Sequence, residues 1–405
     1  NHIIDSNLDL FSFVTASKFS NTLVDVNKPF SIPNESFEQI LKTIPDLYQS
    51  LTQQSSSFFL DPALSFGEKL AQVFVFQCTF NPVYRKYCAA LGWSVEDYSR
   101  CLEELPPLLP AQAFKEAEVW AKNIRIGDRF ASTRIPHLAS SHEPLEFLSS
   151  GTSAMHRSRH RVLNPSYYDD SIRASWQARF GEENWIIWAY TPGYAENPQS
   201  SLLYMIDRLM EWDQTQQSRY LSLDQCLPTQ QMHELVEEGH QVMLFGAAFG
   251  WLDLIERHER EKIPLNLPKE LSIMETGGMK TYRRSVSREE LFDRLIEGFN
   301  GVPEQLITEY GMTECLSQSY TSNGLWLSCP EWVKVVVVDS DDHSKVLAPG
   351  QEGRIGIVDL ANIYSCSFLL TGDRGVMDSK GDFQVLGRWE PTSMRGCNFL
   401  VEQDG

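Results

Sequence analysis

Between Glu146 and Gly250, short apolar runs alternate with helix-patterned stretches, and this alternation constrains the chain more than any other feature. Trp185–Tyr190 (Trp-Ile-Ile-Trp-Ala-Tyr) and residues 241–246 (Gln-Val-Met-Leu-Phe-Gly) are apolar throughout and strand-length, whereas residues 202–212 carry the three- and four-residue apolar spacing of a helix. Strands separated by helices fold as an α/β sheet with helices packed on it. Residues 271–275 add a further strand. After it comes a helix that begins near Ser287, with Glu289 and Glu290 in the first turn, where acidic side chains oppose the positive helix end.

The flanks have a different texture. Residues 36–120 are mainly helical, with breaks at Pro45, Pro62 and Gly92, and the Pro106-Pro107-Leu-Leu-Pro110 stretch reads as an extended connector because proline cannot occupy a helix interior. From Trp332 the pattern turns to hairpins: residues 333–338, 354–358, 367–370 and 383–386 are strand-like, punctuated by Pro349-Gly350 and Lys380-Gly381. The expected division is a mainly helical region over 1–130, an α/β nucleotide- and acyl-binding core over 131–330, a β-rich subdomain over 331–388 and a short tail over 389–405.

Composition excludes several function classes. A formal net charge of -19 opposes a polyanionic partner, since nucleic-acid affinity comes from clustered Lys and Arg. No run approaches the ~20 apolar residues of a membrane span, and the first 28 residues lack a signal-peptide pattern. The eight cysteines are scattered without zinc-type spacing, which points to reduced thiols and a cytoplasmic setting. His233 and His240 miss the H-E-x-x-H spacing, and His156 and His160 have no third ligand nearby. There is no G-x-S-x-G elbow and no G-x-G-x-x-G fingerprint.

Five short segments carry chemistry. Ser149-Ser150-Gly151-Thr152-Ser153, followed by the basic run 156–161, combines hydroxyl donors, an approachable backbone and cations, as a polyphosphate requires. A solvated loop has the same composition. Glu275-Thr276-Gly277-Gly278-Met279-Lys280 follows a strand, and its paired glycines permit close approach to a flat ligand. Glu309-Tyr310-Gly311-Met312-Thr313-Glu314 offers an aromatic face, a hydroxyl and a carboxylate suited to Mg²⁺. Leu370-Thr371-Gly372-Asp373 presents a carboxylate, and Leu386-Gly387-Arg388 a guanidinium.

In this order the five segments resemble the adenylate-forming superfamily of acyl-CoA synthetases, peptide-synthetase adenylation domains and luciferases. The resemblance implies that superfamily's large-domain α/β fold, with ATP and Mg²⁺ as cofactors. It implies that Ser149, Ser150, Gly151, Thr152 and Ser153 hold the ATP phosphates, with Thr152 also catalytic. Gly277, Gly278 and Lys280 would border the adenine and acyl pocket, Tyr310 and Gly311 would pack on adenine, and Thr313 would meet phosphate. Glu314 would be both catalytic and the Mg²⁺ ligand, and Asp373 and Arg388 would hold the ribose.

The end of the chain narrows the resemblance. Superfamily members usually continue past Gly-Arg into a lid domain with a catalytic lysine, whereas only 17 residues follow Arg388, among them Cys397. No lid domain is therefore expected. From about Ile135 to Val401 the chain looks like the acyl-protein synthetases of bacterial fatty-acid reductase systems, in which a cysteine near the C-terminus receives the acyl group as a thioester. That implies Cys397 as acceptor, a carboxylic acid of the fatty class as substrate, and an acyl reductase or carrier protein as partner. The residues themselves leave two other readings open: a ligase that transfers directly to CoA, an amine or a carrier protein, and a non-catalytic nucleotide- or acyl-binding module. The phosphate loop departs from the superfamily in having Ala154 for glycine and no lysine, a charge that Arg157 or Arg159 is placed to supply.

Overall fold

Strands Trp185–Tyr190 and Gln241–Ala247 are apolar on both faces because helices cover both faces in the computed structural model, which describes residues 31–32, 42–47, 57–122, 124–126, 132–133, 143–150, 157–276, 288–301, 303–321 and 325–389. In chain order the strands are β1 (Ser31–Ile32), β2 (Leu109–Pro110), β3 (Ile124–Ile126), β4 (Ser132–Thr133), β5 (Leu145–Leu148), β6 (Arg159–Val162), β7 (Trp185–Tyr190), β8 (Arg219–Tyr220) and β9 (Gln241–Ala247). There follow β10 (Ser272–Thr276), β11 (Leu306–Tyr310), β12 (Ser319–Thr321), β13 (Leu327–Ser328), β14 (Val333–Val338), β15 (Gly353–Asp359), β16 (Phe368–Met377) and β17 (Phe383–Arg388). The main helices are α1 (Phe66–Phe80), α2 (Pro82–Ala90), α3 (Pro165–Phe180), α4 (Ser201–Glu211), α5 (Thr229–Glu237), α6 (Ala248–Glu261) and α7 (Arg288–Phe299).

Twelve of these strands form one sheet whose main path runs β14-β15-β16-β17-β13-β12-β11-β10-β9-β7-β8, with β2 added parallel to β16. From β8 to β11 every pairing is parallel; from β11 to β14 every pairing is antiparallel. Side chains alternate across a strand, and here the alternation splits the apolar residues into two cores. Ile187, Ala189, Met243, Phe245, Met274 and Ile307 face α3 and α4, whose Ile172, Trp176, Leu203 and Met205 complete that core. Ile186, Trp188, Val242, Leu244, Ile273 and Leu306 face α5, α6 and α7 through Met232, Trp251, Leu254, Leu295 and Phe299. The result is an α/β sheet with helices packed on it, as expected from the sequence, and the helices lie on both faces. Gly246 is required at its position on β9, since a Cβ there would lie 2.4 Å from Cζ2 of Trp251.

The N-terminal helices pack onto the antiparallel part of the sheet. Ser65 and Glu68 form a capping box at the start of α1, and Asn81 caps α2 ahead of Pro82 at its first turn. α1 is buried over most of its length: Phe74 meets Phe368 edge-on, and Asn81 Nδ2 donates to Ser365 O at 2.8 Å. The proline connector is extended, as expected, and enters the sheet as β2 beside Leu369 and Leu370. Among the described residues no helix is long and apolar enough to cross a membrane.

Candidate functional site

Where the parallel strands give way to antiparallel ones, the C-terminal ends of β10 and β11 open into a groove of about 2480 Å³. Ligands of open α/β sheets bind outside the carboxyl ends of the strands, and ~300–1,000 Å³ suffices for a drug-sized molecule. A nucleotide and an acid can share this space. Ser149, Tyr310, Thr313, Glu314, Asp373 and Arg388 all line it, so four of the five sequence segments converge there through their described members. From the fifth segment, the Glu275 to Lys280 string, Thr276 at the end of β10 also lines the groove.

Asp373 and Arg388 stand opposite each other on the β16–β17 pair, with Arg388 Nε 3.0 Å from Asp373 Oδ1. Tyr310, the last residue of β11, donates its hydroxyl to Asp373 Oδ2 at 2.9 Å. Burial, with Asp373 adding to it, pushes the Tyr310 hydroxyl well above its usual pKa, so it remains a donor at neutral pH. The expected adenine and ribose residues therefore form one hydrogen-bonded corner. Its ring is steadied by Phe383, 5.4 Å away in an edge contact.

Residues 311–318 form a tight loop after β11, and the buried side chains of Asp359 and His160 hold it. Asp359, at the end of β15, accepts from Leu316 N at 2.9 Å, Ser317 N at 3.0 Å and Ser317 Oγ at 2.7 Å. Burial raises the Asp359 carboxyl and these hydrogen bonds counter the rise. His160, on β6, contacts Thr313 O through Nδ1 at 2.6 Å, which makes Nδ1 the donor and ties the β5–β6 hairpin to the loop. Burial brings the imidazole down to about 4, so it is neutral and bonds without charge. Its pairing with His156 in metal-like spacing was the only signal in sequence, and the structure gives it this different task.

Glu314 is 5% exposed on the groove wall, and its carbonyl accepts from Asn362 Nδ2 at 2.7 Å. Hard oxygen donors such as Glu314 and Thr313 suit Mg²⁺, which takes one or two carboxylates together with substrate phosphates. Among the described residues no cluster of three or more His, Cys, Asp or Glu could hold a metal on its own. The donor set thus fits an ion brought in with a nucleotide.

Ser149 follows β5, and its hydroxyl accepts from Ser158 N at 2.9 Å, closing the neck of the hairpin; Ser150 lies beside it on the groove wall. Arg159 pairs with Glu146 at 3.6 Å on an exposed face. Gly151, Thr152, Ser153, Gly277, Gly278, Lys280 and Cys397 lie outside the described residues.

A further groove residue, Glu309, precedes Tyr310 on β11. Glu309 is 6% exposed, accepts a short hydrogen bond from Thr276 Oγ1 through Oε2, and is pushed by burial to about 7, with Glu275 contributing in the same direction.

The family model described as Acyl-protein synthetase, LuxE, matches residues 213–404. That span contains the segments at 275–280, 309–314, 371–373 and 387–388 together with Cys397, while Ser149 to Ser153 precede it. No curated protein matches the chain. Among solved structures, 2-hydroxyisobutyryl-CoA ligase in an open conformation with 2-HIB-AMP and CoA superposes with a TM-score of 0.55 at 13% identity, covering 80% of this chain and 74% of that one. The same ligase in its thioesterification state gives a TM-score of 0.55 at 12% identity over 80% and 67%. The structural likeness shows the adenylate-forming fold; over residues 213–404, just under half of its length, the chain is similar to the acyl-protein synthetases, and the two findings together support an acid-activating, AMP-forming ligase.

Proposed function

We propose that the chain activates a carboxylic acid, of the fatty class by family resemblance, as an acyl-adenylate and then transfers the acyl group to Cys397 as a thioester. The observation that carries the first step is the convergence of Ser149, Ser150, Tyr310, Thr313, Glu314, Asp373 and Arg388 from separated segments onto one groove. An acid carboxylate oxygen attacks the α-phosphorus of ATP, the bond to the bridging oxygen breaks, and pyrophosphate leaves. No protein nucleophile is needed; alignment and charge stabilisation lower the barrier.

In this reading Tyr310 and Asp373 with Arg388 orient the nucleoside. The hydroxyls of Ser149 to Ser153 and Thr313 donate to phosphate. Glu314, with Thr313, holds Mg²⁺, which neutralises phosphate charge when bound. In the second step the Cys397 thiolate attacks the mixed anhydride and AMP leaves. The acyl group then passes to a partner, an acyl reductase or a carrier protein. The seven cysteines among the described residues are free thiols, which supports a reducing, cytoplasmic setting.

The test combines acid-dependent ATP–pyrophosphate exchange with intact-protein mass spectrometry. Wild type is expected to exchange and to gain a hydroxylamine-labile acyl adduct. Cys397→Ser is expected to keep exchange and lose the adduct, because the serine hydroxyl is scarcely ionised at neutral pH whereas a thiol near its usual pKa of about 8.5 supplies thiolate. An adduct that survives in Cys397→Ser assigns another acceptor. Acyl-AMP with no adduct in wild type replaces self-acylation by direct transfer, and the absence of both leaves a binding module.

A further inference from the structure

Towards α3 and α4 the groove is lined by Leu202, Met205, Thr276, Glu309 and Gln318, the last three forming a polar floor. Strand alternation sends Glu309 and Tyr310 to opposite faces of β11, so this floor is not part of the Tyr310–Asp373 corner. A pocket built only for an alkyl chain would be apolar at this depth, since a polar atom buried without a partner costs ~1–3 kcal/mol. Here the floor is polar and incompletely satisfied.

Thr276 serves one Glu309 oxygen, Oε2, and among the described residues none donates to Oε1. Oε1 sits against the backbone of Gly311, where an added Cβ would stand 2.6 Å away, and Gln318 Cγ lies 3.8 Å from the same point. Gln318 is 5% exposed; its Nε2 donates to Leu316 O at 3.1 Å, an acceptor-only partner that fixes the amide orientation and leaves Oε1 buried without a partner. Directly opposite Glu309 on β12, the hydroxyl of Tyr320 is also buried without a partner. Among the described residues the floor thus offers two acceptors with no donor of their own, Glu309 Oε1 and Gln318 Oε1.

Resting on the adenylation reading above, we infer that this floor is a recognition subsite for a hydrogen-bond donor carried by the acid, so that the substrate is a hydroxyl- or amino-substituted acid with an aliphatic portion rather than a plain alkyl acid. Leu202 and Met205 receive the aliphatic part, and Glu309 and Gln318 accept from the substituent. A site that hydrogen-bonds a substrate group discriminates strongly against the analogue lacking it, because the analogue leaves the site's own polar atoms unserved. With its carboxyl pushed up to about 7 by burial and no cation beside it among the described residues, Glu309 fits a group that gains its partner on binding.

The probes are dodecanoic acid and its α-, β- and ω-hydroxylated and ω-aminated counterparts, offered to the full chain. Binding is read by calorimetry with ATP withheld, and activation by pyrophosphate exchange. At least one substituted acid is expected to bind about tenfold or more tightly than dodecanoic acid, the size of one charge-assisted hydrogen bond. Glu309→Leu is expected to erase that preference and leave dodecanoic acid bound at least as well as in wild type. Glu309→Gln, which keeps shape and folding, is expected to keep part of the preference for hydroxyl and lose the preference for ammonium. Dodecanoic acid bound as tightly as every substituted acid, or an unchanged preference in a folded Glu309→Leu, overturns the subsite. A donor preference without exchange leaves the subsite standing and overturns adenylation; exchange at equal rates for plain and substituted acids does the reverse.

Discussion

On one face of β11, Tyr310 meets a carboxylate, Asp373, whose two oxygens are both engaged, one by the Tyr310 hydroxyl and one by Arg388 Nε. On the other face the strand carries its own carboxylate, Glu309, with one oxygen bonded to Thr276 and the other without a donor among the described residues. Both groups are buried, at 6% exposure each, so depth does not separate them. Partners do. Asp373 has a charged and a neutral donor already in place and presents a fixed rim, whereas Glu309, with no cation beside it among the described residues, is pushed by burial towards its neutral form and can respond to what binds. The groove joins a preorganised corner to an adaptable floor.

The strongest way to break this comparison is to release the loop that both branches share. Asp359→Ala strips an acceptor from Leu316 N, Ser317 N and Ser317 Oγ in a fully buried setting, and Ala361 N loses its 3.1 Å bond as well. Each buried donor left unserved costs ~1–3 kcal/mol, so a destabilisation of about 4 kcal/mol or more is expected in urea melts. Wild-type stability in Asp359→Ala means that the loop is held elsewhere.

A pH titration of stability sharpens the comparison. The Glu309 carboxyl is raised from 4.5 to about 7, so the folded state binds the extra proton; its stabilising contribution is full below 4.5 and is lost as pH rises through 7. His160 is lowered from 6.5 to about 4, so its contribution is full above 6.5 and is lost as pH falls through 4. Between these limits the two slopes oppose each other. Glu309→Gln is expected to remove the falling limb, on the order of 3 kcal/mol across the window, and to uncover the rise due to His160. A Glu309→Gln profile parallel to wild type shows that Glu309 ionises normally.

How much of this was legible in the sequence follows from how local each feature is. β7 and β9 were readable because strands covered on both faces are continuous apolar runs. The members of the Tyr310–Asp373–Arg388 corner stand out in sequence because Tyr310-Gly311-Met312-Thr313-Glu314, Thr371-Gly372-Asp373 and Gly387-Arg388 are contiguous strings, although their pairing on β16 and β17 had to be seen. The floor was not readable. Thr276 reaches Glu309 from 33 residues away, and Gln318 acquires meaning only from its contact with Leu316 O. His160 acts on a backbone carbonyl 153 residues distant, a bond that leaves no residue-type pattern. Asp359 sits at the end of a valine- and isoleucine-rich hairpin with no motif around it.

Asp373→Ala tests the preorganised side. The variant removes the acceptor that gathers Tyr310 and Arg388, so ATP binding is expected to weaken by about 1.5–3 kcal/mol, roughly 10- to 150-fold, with every acid tested. Calorimetry on the folded variant checks this. The ranking of plain against substituted acids is expected to stay as in wild type, because that ranking belongs to the other face of β11. A ranking that shifts in Asp373→Ala couples the two branches and removes the distinction between them.

The smallest expected effect comes from Tyr310→Phe, which keeps the ring against Phe383 and deletes only the hydroxyl that bonds Asp373 Oδ2. Asp373 retains Arg388, and the freed oxygen faces the groove, where water or a ribose hydroxyl can serve it. The loss is therefore that of one hydrogen bond to a charged group partly replaced by solvent, about 1 kcal/mol in ATP affinity or roughly fivefold. The informative measurement is a double-mutant cycle. If Tyr310 acts by orienting Asp373, then Tyr310→Phe costs little further affinity in an Asp373→Ala background, and the two changes couple by nearly the whole single-mutant effect. Additive losses would mean that the phenol meets the nucleotide independently of Asp373, and that the carboxylate on this face is no more preorganised than Glu309 on the other.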